Sequence, residues 1–306
     1  KLNWVESIHF LITGFSIGSI FQYIMPNKAK PELKQPLTEQ NTVKAWLDRS
    51  DPTLIATHQC VDADAAFSAA LLHVVRPSSA VVFIRADSTI SQPEVIAVDL
   101  MKGTSAVKGL DAGSSFGLIV SVLSGLDSTL YNELKPWASQ LNITDQGKSC
   151  GDRVVLADMV NAWRSAGLDD SKIVERASEL LKGKMLLSRR RAKQKKHAKS
   201  IPIKNGVAVL GEDDHVRAKD LFNRGALAVV RQGKGGLAVV LSRKAQQKGA
   251  NLSVLVDDLN NGWFIHPDGF LASYGGPKAP KNPSEAGISI KALANRTREL
   301  IKEVKQ

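Results

Sequence analysis

Apolar and polar positions fall into short blocks along most of the chain. "TLIAT" (53–57), "AVVFI" (80–84) and "EVIAVDL" (94–100) are short aliphatic runs of strand length. Between and after them lie "DAAFSAALLHVV" (64–75), "SSFGLIVSVLSGL" (114–126), "GDRVVLADMVNAWRSAG" (151–167) and "SKIVERASELLKGKMLLSRR" (171–190), which carry helical patterning. Continuous apolar strands alternating with helices predict a parallel α/β sheet buried on both faces. A second such unit opens with the strand "GVAVLG" (206–211) and the helix "DDHVRAKDLFNRG" (213–225). It continues as "ALAVVRQGKGGLAVVLS" (226–242), a hairpin turning at Gly233 to Gly236, and closes with an amphipathic helix, "SIKALANRTRELIKEV" (289–304). Ahead of both units, "NTVKAWLDRSD" (41–51) reads as a short capped helix leading into the first strand.

The segment before that is different. "PNKAKPELKQPLTEQ" (26–40), with three prolines, reads as a linker. Residues 10–25 hold no charge, which leaves three readings. One is a pair of hydrophobic helices docked on the main domain. Another is a helix-turn-helix, with a helix ending at Gly14 and Ser16 capping a second that turns Ile20 and Tyr23 inward. The third is a membrane anchor, disfavoured because the stretch is shorter than the roughly 20 residues of a span and contains Gln22. The expected organisation is therefore an N-terminal helical segment and linker (1–40), an α/β domain (41–187), a basic linker (188–205) and a smaller α/β domain (206–306).

Charge sharpens the picture. The 306-residue chain has a formal net charge of +11, and "SRRRAKQKKHAKS" (188–200) supplies seven of the cations with no acidic residue among them. Arg189, Arg190, Arg191, Lys193, Lys195 and Lys196 form a candidate phosphate-contacting arm, with a solvated helix end as the plain alternative. The partner this favours is nucleic acid or a nucleotide, while aromatic content of 6% argues against a surface built from stacked rings. The apolar N-terminal segment suits docking to a protein partner or to a second copy. Two cysteines, Cys60 and Cys150, make neither a disulfide framework nor a zinc finger, which points to an intracellular, reducing compartment such as cytoplasm or an organelle matrix. The chain begins at Lys1 rather than methionine, compatible with removal of a targeting segment.

The candidate chemistry lies at strand ends. His58, Asp62 and Asp64 follow "TLIAT", and Asp99 follows "VIAV". In open parallel sheets ligands gather at the carboxyl ends of strands. One imidazole with several carboxylates suits Mn²⁺ or Mg²⁺, although Asp also caps helices and turns without any ion.

"HQCVDADAAFS", of the form His-x-x-x-Asp-x-Asp-x-x-x-Ser, resembles the first motif of the DHH phosphoesterase superfamily. "VIAVDL" is similar to its second motif, and "LNITDQGKS" to a later one carrying Asp145. "WFIHPDGFLASYGG" resembles the small C-terminal substrate domain of these enzymes, nearest the MYG1-type exonuclease branch with its H-x-x-G-F. The resemblance implies a DHH-like parallel-sheet domain with a dinuclear manganese centre held by His58, Asp62, Asp64, Asp99 and Asp145, the catalytic set being Asp62, Asp64 and Asp99. It also implies substrate phosphates held by Lys278, Lys281, His266 and the amides around Gly275 and Gly276. The motif that names the family is degenerate: "VKGLDAGSSFGL" offers Asp111, Ala112 and Gly113 where Asp-His-His belongs. Two-metal phosphoryl transfer needs both ions. Two functions follow. One is a metal-dependent phosphodiesterase or exonuclease; the other is a catalytically inactive DHH-fold protein that binds nucleic acid or serves an assembly, with the metal absent.

Overall fold

The computed structural model describes residues 38–51, 53–151, 155–259 and 262–303. The N-terminal segment, with its docking, helix-turn-helix and membrane readings, lies outside them. Among the described residues no helix is long and apolar enough to cross a membrane. The chain divides into two compact units, Lys1–Arg189 and Arg190–Gln306.

The first unit is a four-stranded, wholly parallel sheet. Helix α1 (Glu39–Leu47) starts at Thr38, whose side chain accepts from the Asn41 amide. Strands β1 (Leu54–His58), β2 (Ala80–Ile84), β3 (Val95–Val98) and β4 (Ala106–Val107) pair in the order β2-β1-β3-β4. The expected parallel α/β sheet is observed, and β4 is an addition the apolar pattern did not announce. Two residues are too few for any periodicity to show.

Helices α2 (Ala63–Val75), α3 (Ser115–Leu123), α4 (Ser128–Asp145) and α5 (Leu156–Ser165) supply much of its core. Their starts are set by side-chain caps: Asp62 for α2, Ser114 for α3 and Asp127 for α4. α2 is buried almost all round, and its Phe67 meets Phe116 of α3 edge to face at 6.3 Å. Strand β1 sits between β2 and β3, so its end faces the ends of both neighbours.

Helix α6 (Asp170–Ala198) runs 29 residues and takes in most of the expected basic linker. The basic run is thus helical as far as Ala198 rather than a linker, for a compositional reason. Arg, Lys, Gln and Ala are strong helix formers, and Lys195, Lys196 and His197 lie in the last turn, where the helix dipole favours cations. The division between units falls inside this helix.

The second unit holds a mixed six-stranded sheet in the order β5-β6-β7-β8-β10-β9. Its strands are β5 (Ile203–Lys204), β6 (Val207–Leu210), β7 (Ala228–Gly233), β8 (Gly236–Leu241), β9 (Phe264–Ile265) and β10 (Leu271–Gly275). The expected hairpin is present, with Gly233 opposite Gly236. Helix α7 (Ala218–Phe222) is shorter than the expected 213–225, because Asp214 turns its carboxylate onto the Gly211 amide at 2.8 Å and holds a turn instead. After α8 (Arg243–Gln247), helix α9 (Ile290–Glu303) buries Leu293, Thr297, Leu300 and Ile301, one stripe at helical spacing.

Candidate metal and phosphate site

The ends of three adjacent parallel strands carry the chemistry. His58 is the last residue of β1, Asp99 follows β3, and Lys108 follows β4. His58 is held on both ring nitrogens: Nδ1 donates to the Gln59 carbonyl at 2.9 Å and Nε2 to Asp99 Oδ2 at 3.2 Å. Asp62 Oδ2 is 3.9 Å from the same Nε2. Lys108 Nζ donates to the other oxygen of Asp99, Oδ1. Asp99 therefore lies between an imidazole and an ammonium, with its side chain 2% exposed. Its backbone is left-handed (φ 56), as is that of Cys60 (φ 56). Such backbone is costly outside glycine and gathers where a site dictates geometry.

Two groups of ligand atoms lie within 4.8 Å of one another: His58, Asp62 and Asp99, and Asp64, Asp99 and Asp145. The sequence-predicted metal residues are thus brought together, and Asp99 is common to both groups. Asp145 arrives from the C-terminal end of α4 and is exposed. Asp111 does not join. It sits exposed in a short 3₁₀ turn (Leu110–Ala112).

Asp64 has a further use. Its Oδ2 accepts from the Ser115 amide and hydroxyl, both at 2.8 Å, and its Oδ1 from the Phe116 amide at 2.9 Å. It caps the start of α3 from the first turn of α2, satisfying donors that would otherwise be buried without partners. Burial, with the charge of Asp99 nearby, pushes its carboxyl up to about 7. His58 is raised to about 9, chiefly by its hydrogen bond to Asp99. Burial alone would raise Asp99, but the hydrogen bonds from His58 and Lys108 hold it below the usual carboxylate range.

The donor types and spacing suit a divalent ion. The Asp64, Asp99 and Asp145 group is less free to take a second ion, because Asp99 Oδ1 is bonded to Lys108 and both Asp64 oxygens accept from Ser115 and Phe116.

The loop after β1 is clamped from far along the chain. Asp170 accepts from the amides of Cys60 (2.7 Å) and Val61 (3.0 Å), and Arg164 bonds both Asp170 (3.0 Å) and the Val61 carbonyl (2.6 Å). Glu39 plays a similar part beyond β4, accepting from the amides of Lys108 (2.6 Å) and Gly109. Lys108, Glu39, Asp170 and Arg164 were not anticipated. Only Lys108 had a signal, a cation directly after an aliphatic pair.

In the second unit, Gly275 (φ 76) lies in β10, and the Gly276 amide donates to the Ala279 carbonyl at 3.1 Å. Lys281 Nζ bonds the Gly262 carbonyl at 2.7 Å over the Tyr274 ring, and Lys278 is exposed. His266 packs on Phe270 at 4.2 Å and accepts from the Asp268 amide. Of the expected phosphate cradle, the Gly276 amide and the Lys281 ammonium thus have structural partners. On α6, Arg189, Arg190, Lys193, Lys195 and Lys196 are exposed and Arg191 is half-buried. Cys60 and Cys150 are free thiols.

No family model and no curated protein matches the sequence. Among solved structures, the chain is similar to RecJ from Thermus thermophilus in complex with Mg²⁺, at 15% identity and a TM-score of 0.29, covering 89% of this chain and 53% of that one. It is similar to the same protein in complex with Mn²⁺ at 14% identity and a TM-score of 0.29, covering 89% and 55%. The chain spans about half the length of those structures. A likeness of that degree assigns neither family nor activity.

Proposed function

We propose that this chain is a relative of the DHH phosphoesterases that binds nucleic acid or a nucleotide, with the strand-end cluster as its phosphate-chemistry site and with cleavage reduced or lost. The observation that carries this is the convergence of His58, Asp62, Asp64, Asp99 and Asp145 in overlapping groups at the ends of parallel strands. His58, Asp62 and Asp99 are the residues that would hold one Mn²⁺ or Mg²⁺, with His58 giving up the Nε2 proton it shares with Asp99, and the ion would supply Lewis acidity toward a phosphoryl oxygen. The exposed cations of α6 would add sequence-independent attraction to a phosphate backbone.

A second reading, an active metal-dependent phosphodiesterase or exonuclease, is favoured by the retained Asp64, Asp99 and Asp145 group. The test is fluorescence anisotropy with short labelled RNA and single-stranded DNA, with and without Mn²⁺, followed by gel analysis of the same samples. Salt-sensitive binding with the oligonucleotide left intact supports the first reading. Turnover that requires Mn²⁺ transfers support to the second, and no binding to either strand or to a labelled mononucleotide in the same assay overturns both.

A further inference from the structure

Three strand ends meet at the cluster, and the third brings an ammonium. Lys108 is placed by the backbone around it. Its own amide and that of Gly109 are bound to the Glu39 carboxylate on α1. Gly109 is left-handed (φ 72), and a Cβ there would lie 2.0 Å from the Ser114 carbonyl oxygen, so the turn after Lys108 accepts glycine alone. The side chain then runs inward, 25% exposed, to Asp99.

The charges explain why it stays. Four carboxylates, Asp62, Asp64, Asp99 and Asp145, share the cluster; Asp64 and Asp99 are buried, and burying carboxylates unpaired is expensive. The Lys108 ammonium lies under the influence of Asp99, Asp145 and Asp64, which are the three members of the second ligand group. His58 stands on the other side of Asp99, at Oδ2.

We propose that Lys108 is the resident cation of the strand-end cluster, standing in for one divalent ion in the Asp64, Asp99 and Asp145 group, so that this chain holds at most one such ion. This rests on the function proposed above and deepens it, since a site with one ion and one ammonium can hold a phosphate without activating a second water. An ammonium is a point charge with three donors and no vacant coordination position, so it neutralises and orients but generates no hydroxide.

The experiment is Mn²⁺ titration calorimetry on the full chain as wild type, Lys108→Met, Lys108→Arg and Lys108→Met with Asp145→Asn, each checked for an unchanged circular dichroism spectrum. RNA anisotropy is measured on the same preparations. The proposal predicts one weak site or none in the wild type and in Lys108→Arg. Lys108→Met gains a second ion, or tightens the first by roughly tenfold or more once the competing charge is gone, and loses that gain when Asp145 is also changed. Two tightly bound ions in the wild type, or unchanged stoichiometry and affinity in Lys108→Met, would overturn it. Should Lys108→Met fail to fold, two ions on the wild type still overturn the proposal, and one or none with Lys108→Arg unchanged supports it. Loss of RNA binding from every protein, wild type included, sinks the proposed function while leaving the metal result to stand or fall on its own.

Discussion

Asp64 Oδ2 accepts the Ser115 amide at 2.8 Å, joining the first turn of α2 to the first turn of α3 inside the core. A carboxylate that resembles a metal ligand in sequence is thus also a helix cap. Replacing it with alanine strands the buried Ser115 and Phe116 amides. We expect Asp64→Ala to cost about 2–4 kcal/mol in urea denaturation, from lost capping and unmet donors. Asp145→Ala, at an exposed position, stays within about 0.5 kcal/mol of wild type. Loss of metal binding in Asp64→Ala alone would therefore say little about coordination, and Asp145 is the better probe.

Asp170 holds the Cys60 and Val61 amides from 110 and 109 residues away. Asp170→Ala frees the loop that carries Asp62. Hydrogen exchange at those two amides should accelerate, with a stability loss of about 1 kcal/mol, because charge-assisted bonds are stronger than neutral ones but these are at most part-buried. Unchanged protection at both amides would remove Asp170 as a positioning residue.

His58 is raised from 6.5 to about 9 by Asp99. The folded state holds that proton more tightly than the unfolded chain, so the contribution is complete below about pH 6.5 and disappears as pH rises through 9. Asp64, raised to about 7, acts in the same direction, because its ionisation in the folded state is penalised as pH rises. The melting-temperature difference between wild type and His58→Gln should be largest near pH 6 and shrink toward pH 9 and above. A difference constant across that range contradicts the pairing with Asp99.

Arg189, Lys193 and Lys196 stand at helical spacing along α6 and are exposed. Changing all three to glutamine should weaken RNA binding and reduce the slope of log K against log salt by about 2, at roughly 0.7 per phosphate contact on a single strand. A slope that does not move places the contact elsewhere.

The parallel sheet of the first unit was legible because its strands are apolar on both faces, and the His58, Asp62 and Asp99 convergence followed from strand ends in such a sheet. The hairpin at Gly233 to Gly236 and the amphipathic α9 were legible for the same kind of reason, a clean local period. What escaped has equally local causes. β4 is two residues long, so Lys108 could not be placed at a strand end, and Asp111 drew attention in its stead. Asp170, Arg164 and Glu39 act across long stretches of chain through single side-chain bonds, which no spacing rule reveals. The basic run was read by charge as a linker, whereas its helix-forming residues continue α6. The N-terminal segment, the one part with a helix-turn-helix pattern, lies outside the described residues.

The most direct measurement is anomalous diffraction at the manganese edge from crystals of the full chain grown in Mn²⁺. A single peak at most is expected, beside His58, Asp62 and Asp99, with the Lys108 ammonium still on Asp99. Two manganese peaks about 3.5–4 Å apart bridged by Asp99, with Lys108 swung away, would contradict it and make the cluster a working two-metal centre.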